Sequence, residues 1–275
     1  MNKQNILMGI IMASGLLFSC EQAEMEHTLV ASNAGKEVSF HIGISSLTRT
    51  ATTGNKTVFV ANDELGLFAV NRNGLNVIEG QGNLKYVYHD NQWDAEKAIT
   101  FPIDGSSVNF YSYYPYSAFV TTTTFEHQVA KDQSVGNAYD QSDLLLASHT
   151  TSTADDTSIT LTFAHKLALV EVILPSDKVG VSAEMKAKRT VTVDLLKQTA
   201  TLKDAEAEEW IIMKKVSGTV FRAVVPAQTL GAGHLIRIKL DSGGYYHYSI
   251  ASGVALAANE INTFSMPDKD EIRNF

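Results

Sequence analysis

Cysteine is almost missing from this chain of 275 residues: Cys20 stands alone. A single thiol cannot close a disulfide within the chain, so the fold must hold by packing and hydrogen bonding. Proline is nearly as scarce, and its five residues (Pro102, Pro115, Pro175, Pro226 and Pro267) fall at the ends of strand candidates, where a missing amide hydrogen does least harm. Long apolar runs are lacking too: the stretch from Ile6 to Phe18 has 13 mostly apolar residues, whereas a helix crossing a bilayer needs about 20. Positive charge is the minority, 22 Lys and Arg against 30 Asp and Glu. That balance argues against nucleic acid as a partner, because phosphate contacts require clustered Lys and Arg. Apolar residues make up 44% of the chain, enough for one large or two ordinary domains with real cores.

What is present begins at the amino terminus. Lys3, the apolar stretch to Phe18, and Ser19 before Cys20 have the layout of a secretory signal over residues 1–19. Leu17-Phe18-Ser19-Cys20 resembles a bacterial lipobox, in which cleavage before the cysteine makes it the acylated first residue. Each buried methylene contributes about 0.8 kcal/mol, so several chains on Cys20 anchor the precursor to the outer membrane more firmly than one myristoyl would. A mature chain of 256 residues, 275 less the 19 removed, would lose Lys3 and carry a net charge of −9. Residues 20–36 are polar and without period, which reads as a flexible tether.

From Val38 the pattern changes to alternation, with Val38, Phe40, Ile42 and Ile44 on one face and Ser39, His41, Gly43 and Ser45 on the other. Further strand candidates are 64–70, 85–88, 108–114, 144–148, 159–163, 167–174, 189–195, 220–225, 235–240, 245–250 and 263–266. Turn residues such as Asn73-Gly74, Asp104-Gly105 and Gly243-Gly244 separate them. Only residues 204–215 are ambiguous between helix and strand. The chain is expected to be all-β and built of sandwiches. Thr150 to Thr157 holds Ser, Thr, Ala and Asp with no large apolar residue. It is the expected linker, dividing an amino-terminal domain over 37–155 from a carboxy-terminal one over 156–275.

The motifs of common enzymes do not occur: no G-x-S-x-G, no H-E-x-x-H, no Walker loop and no dinucleotide fingerprint. No cofactor is implied. The eight histidines are scattered singly, and His165 is expected to be a hydrogen-bonded residue at a strand junction rather than a metal ligand. Asp155-Asp156 and Asp268-Lys269-Asp270-Glu271 lack the alternating ligands of a calcium loop and read as solvated turn and tail. The aromatic run Phe110-Tyr111-Ser112-Tyr113-Tyr114-Pro115-Tyr116 admits two readings. Alternation puts Val108, Phe110, Ser112 and Tyr114 on one face, leaving Tyr111 and Tyr113 on the other, either as a core strand with an aromatic rim or as a platform for sugars.

Several segments taken together resemble the fimbrillin family of Bacteroidetes, the subunits of type V pili. They are Val38–Ile44 with Thr48-Arg49-Thr50, Asn62-Asp63-Glu64-Leu65-Gly66-Leu67-Phe68, Val108 to Tyr116, Asp143 to Ala147, Leu161 to Leu167, Phe221 to Gln228 and Asn259 to Phe264. Their order and spacing carry the resemblance. It implies two tandem transthyretin-like β-sandwich domains, export as a lipoprotein, maturation by a protease cutting after an arginine near the first strand, and polymerisation with other pilin subunits by β-strand donation. Arg49, followed by Thr50, lies where that cut is expected, in a polar stretch from Ser45 to Asn55. The tail from Pro267 to Phe275 has nine residues, short for a donor strand, which a tip or accessory subunit would not need. A surface ligand remains a possible further partner.

Overall fold

A computed structural model describes residues 33–45, 58–73, 75–156 and 158–266. In chain order they form β1 (Phe40–Ile44), β2 (Glu64–Asn71), β3 (Leu84–His89), β4 (Gln92–Ala95), β5 (Val108–Tyr114), β6 (Thr124–Gln128), α1 (Ala138–Ser142), β7 (Leu145–Ser152), β8 (Ile159–His165), β9 (Ala168–Ile173) and β10 (Gly180–Ala187). There follow β11 (Thr190–Asp194), β12 (Thr199–Leu202), β13 (Glu209–Ile212), β14 (Lys214–Lys215), β15 (Val220–Val225), β16 (Gln228–Leu230), β17 (Gly233–Leu240), β18 (Tyr245–Ile250), β19 (Val254–Leu256) and β20 (Ile261–Ser265). The chain is thus all-β apart from one short helical turn among the described residues. The ambiguous 204–215 stretch resolves into β13 and β14 rather than a helix.

The amino-terminal half builds a seven-stranded sheet in the order β1-β8-β7-β5-β2-β3-β4. β1 runs parallel to β8, and the other neighbours are antiparallel. Asp90 and Asn91 join β3 to β4 with φ values of 49° and 62°. Positive φ at both central positions is the signature of the type I′ turn whose twist matches that of the strands it joins. The remaining strands form the sheets β13-β10-β17-β18, β12-β11-β6, β14-β15-β9-β20 and β16-β19.

Two hydrophobic cores flank the seven-stranded sheet. One is lined by Leu65, Leu67, Val108, Phe110, Tyr114, Leu145, Leu161 and Phe163. The other takes Phe68, Val70, Tyr111, Tyr113 and Leu146 from the same strands and joins them to β9, β10, β11, β15 and β17. β2, β5 and β7 therefore bury both faces, and every residue of β5 is buried.

This arrangement corrects the expected division at residues 150–157. β7 runs into that stretch as far as Ser152, and β8, its antiparallel neighbour in one sheet, starts at Ile159, so the stretch falls within a hairpin and not between two domains. The chain leaves the first sheet for the last time between His165 and Ala168. In the opposite sense β6, from the amino-terminal half, pairs with β11 across the full register Thr190↔Gln128 to Asp194↔Thr124. Each half supplies a strand that a cut at residue 155 would strand on the wrong side, and the described residues belong to one compact unit.

Candidate functional site

β1 is an edge strand, and its side chains divide as the alternation requires. Phe40, Ile42 and Ile44 stand beside Ile159, Leu161 and Phe163 of β8, while His41 and Gly43 stand beside Thr160 and Thr162 on the outer face. Just upstream, Val38 is buried at 6% exposure and its N–H donates to the Ile99 carbonyl at 2.9 Å. Gly35 N–H donates to Phe101 O at 3.1 Å, and Phe101 N–H donates back to Lys36 O at 3.0 Å. Beyond the strand, both the N–H and the hydroxyl of Ser45 donate to Phe163 O, at 2.8 and 2.9 Å.

The four residues expected to form the first strand's core face are brought together. Phe40, Ile42 and Ile44 are half-buried against the first core, and Val38 is fully within it. Phe40 meets the rings of Phe110 and Tyr86 edge-on, with centroids 5.3 and 5.9 Å apart, a favoured aromatic geometry. Tyr86 was not visible as a partner in the sequence. Its oxygen accepts the Ile99 N–H at 2.9 Å, and burial pushes its phenol up, opposed by that backbone hydrogen bond. A groove of 580 Å³ opens beside β1, walled on its far side by the β3–β4 hairpin with Tyr88 and Trp93.

Other expected site residues fall elsewhere. Cys20, Arg49 and Thr50 lie outside the described residues. Tyr111 and Tyr113 are 4% and 1% exposed and belong to the second core, so neither offers a ring face to a sugar. The platform reading of these two tyrosines is corrected, because the sheet that carries them is covered on both sides. His165 sits at the end of β8 with Nδ1 2.9 Å from Oδ2 of Asp143. It is hydrogen-bonded at a strand junction as expected, though its partner is a carboxylate.

The comparisons with known proteins agree with this architecture. The family described as fimbrillin-like matches residues 48–269. A candidate fimbrium tip subunit of Bacteroides ovatus, Fim1C, is 30% identical over 199 residues, which are 64% of this chain and 36% of that protein. The chain thus spans about a third of the length of that relative. Among solved structures, a candidate cell adhesion protein of Bacteroides uniformis superposes with a TM-score of 0.65 at 19% identity, covering 84% of this chain and 93% of that one. A fimbrial protein of Bacteroides ovatus gives a TM-score of 0.57 at 17% identity, over 85% of this chain and 49% of its own. These two likenesses are of fold. With the family match running through both cores, from before β2 to beyond β20, the chain belongs to the fimbrillin-like family of fimbrial subunits, which are not enzymes.

Proposed function

We propose that this chain is a structural or accessory subunit of a surface fimbria, exported as a lipoprotein through Cys20, cut after Arg49, and assembled by strand donation. Its two cores correspond, in this reading, to the transthyretin-like sandwiches of a type V pilin. The observation that carries the proposal is the placement of β1. It is an edge strand, parallel to its one neighbour in the sheet, with an apolar inner face packed on the first core. Segment 46–57, which contains Arg49, connects its end to Phe59, itself a buried member of that core.

Release of residues 20–49 would uncover the cross-strand partners Ile159, Leu161 and Phe163 together with the backbone edge of β8. At about 1.5 to 3 kcal/mol for each large side chain fully buried, the four residues Val38, Phe40, Ile42 and Ile44 account for about 6 to 12 kcal/mol as an upper bound. Three of the four are only half-buried, which pulls the figure toward the lower end. An alternating segment from a neighbouring subunit would restore both hydrogen bonds and side-chain contacts, as in β-augmentation. Repeated head to tail, such a contact does not close and gives a filament. The family match starts at residue 48, so β1 lies outside it, as suits a strand that is removed. β20 is already engaged in parallel beside β9, so the part proposed for this body is to accept a strand.

The acyl chains on Cys20 would leave with β1, making the lipid a device for transit that withholds assembly until the surface is reached. The test is to treat purified precursor with an arginine-specific protease. The expected product starts at Thr50 and, mixed with fimbrial subunits that donate a strand, enters filaments visible by electron microscopy, and Arg49→Ala blocks both. A cut chain that stays monomeric in the presence of fimbrial subunits, or filaments that retain acylated Cys20, would overturn the proposal.

A further inference from the structure

The groove beside β1 has a chemistry of its own. The rings of Tyr88 and Trp93 line one wall, set by the β3–β4 hairpin. They are braced from behind, with Trp93 edge-on to Phe59 at 4.9 Å and 5.1 Å from Tyr88. The type I′ turn between the strands holds the hairpin, and the Tyr88 hydroxyl donates to Oδ1 of Asn91 at 3.2 Å. That bond uses the Asn91 carbonyl and leaves its NH₂ group turned to other acceptors. Gln92 stands next to it, and His41 and Thr162 come from β1 and β8 on the other side. Gly43 lies opposite Thr162, and a Cβ built there would meet nothing within 4 Å, so the ground between His41 and Thr162 is open.

Among the described residues, no Asp, Glu, Lys or Arg lines the groove. Its walls therefore combine apolar ring faces with amide, hydroxyl and imidazole groups but no fixed charge. A sugar ring has the matching surface, an apolar patch of C–H groups rimmed by hydroxyls that both donate and accept. The volume of 580 Å³ falls within the range of about 300 to 1,000 Å³ typical of small-ligand sites. An extended peptide would instead pair with backbone along the edges that β1 and the four-residue β4 offer, and the peptide arm of the test separates that outcome from a sugar.

The geometry points to a binding site for a neutral oligosaccharide in this groove, stacked on Tyr88 and Trp93 and hydrogen-bonded by Asn91, Gln92, His41 and Thr162. The site is distinct from the buried Tyr111 and Tyr113. Because β1 supplies His41, the site belongs to the uncut chain, and binding is read there independently of whether filaments form.

The test uses the full, uncleaved chain on a printed array of neutral oligosaccharides, with sialylated and sulfated ones alongside, followed by calorimetry with any glycan retained. Three exposed positions are changed: Gln92→Ala, Thr162→Val, and Asn91→Gly, which keeps the left-handed turn. Each is expected to weaken retention of a neutral glycan by about tenfold, the effect of one lost hydrogen bond. Tyr245→Ala, on the separate sheet that holds β18, is expected to leave binding unchanged. No retained glycan, retention of acidic glycans only, or neutral binding insensitive to all three changes would each overturn the inference. So would capture, in place of any glycan, of a synthetic peptide with the sequence of residues 38–44, which would assign the groove to strand addition.

Discussion

The hydroxyl of Tyr113 donates to Oδ1 of Asn83 at 2.7 Å and accepts the Ser117 N–H at 3.1 Å. Asn83 in turn donates from Nδ2 to the carbonyls of Ser117 and Val120, at 3.0 and 2.7 Å. One buried side chain of β5 thereby fixes the loop that follows the strand. Burial pushes the Tyr113 phenol well above its ordinary range. Tyr113→Phe removes the hydroxyl while keeping the ring, so it is expected to cost about 1 to 3 kcal/mol, the penalty of stranding a half-buried acceptor. Denaturant unfolding measures this, with the slope unchanged. The neighbouring Gly66→Ala is expected to be worse, because a Cβ there would overlap the Tyr113 ring and Oδ1 of Asn83.

Tyr113 also shows where sequence reading succeeds and where it stops. Alternation assigned it correctly to the face opposite Phe110 and Tyr114, and the bounds of β5, β15 and β18 agree with those expected. Alternation says which residues share a face, but not what covers it. Here both faces are covered, so an aromatic stripe open to sugars and one buried in a second core look the same in sequence. Strand partners are equally hidden: β8 pairs with β1, some 119 residues away, and β6 with β11. The Ser- and Thr-rich stretch near residue 153 reads as a linker because nothing local reveals that its two flanks are neighbours in one sheet. β10 escaped notice for another reason. Its inward residues include Gly180, Ala183 and Ala187, small because a Cβ at Gly180 would meet the Phe221 ring at 2.5 Å, while Val181 points outward at 49% exposure. For the candidate site, the apolar face of β1 was legible, whereas the hairpin with Tyr88 and Trp93 was not, since β4 is only four residues long.

Gln133 substitutes for a strand. Its Nε2 donates to the Val224 carbonyl at 2.7 Å, and its Oε1 accepts the Val224 N–H at 2.8 Å. The side-chain amide, 1% exposed, thus completes the edge of β15 where β14 has ended. Gln133→Leu would fill similar space but leave two buried backbone groups of Val224 without those partners. The expected loss is about 2 to 5 kcal/mol, and the Val224 amide should lose its protection in hydrogen exchange before the rest of β15.

Glu171 and Arg222 face each other across β9 and β15, with Nη2 and Oε2 2.6 Å apart and both residues under 5% exposed. Glu171→Gln deprives a buried guanidinium of its counter-charge and is expected to cost about 3 to 5 kcal/mol. The paired change Glu171→Met with Arg222→Met should recover most of that loss, since an apolar pair avoids desolvating two charges. A double-mutant cycle followed by thermal unfolding separates the two outcomes. Additive losses from the single changes would mean that the charges act independently.

His127 on β6 predicts the direction of acid sensitivity. Burial holds its imidazole below the ordinary value of 6.5, partly offset by the contact of Nε2 with the Ser142 carbonyl at 3.0 Å and by the charge of Asp143. In the neutral ring Nε2–H donates to that carbonyl. The unfolded chain therefore takes up a proton at a higher pH than the folded one, and stability must fall as pH drops from about 6.5 toward the lowered folded value. Above that window the contribution is fully present. His247 is also held low, by burial first and then by His234 and Arg237, and acts in the same direction. His127→Gln keeps a donor for Ser142 but cannot titrate, so the decline in denaturation midpoint between about pH 7.5 and pH 5 should be shallower than in the parent chain and should not vanish. An unchanged slope would mean that His127 binds protons equally in both states, and that β6 does not hold it as deeply beside β11 as the fold requires.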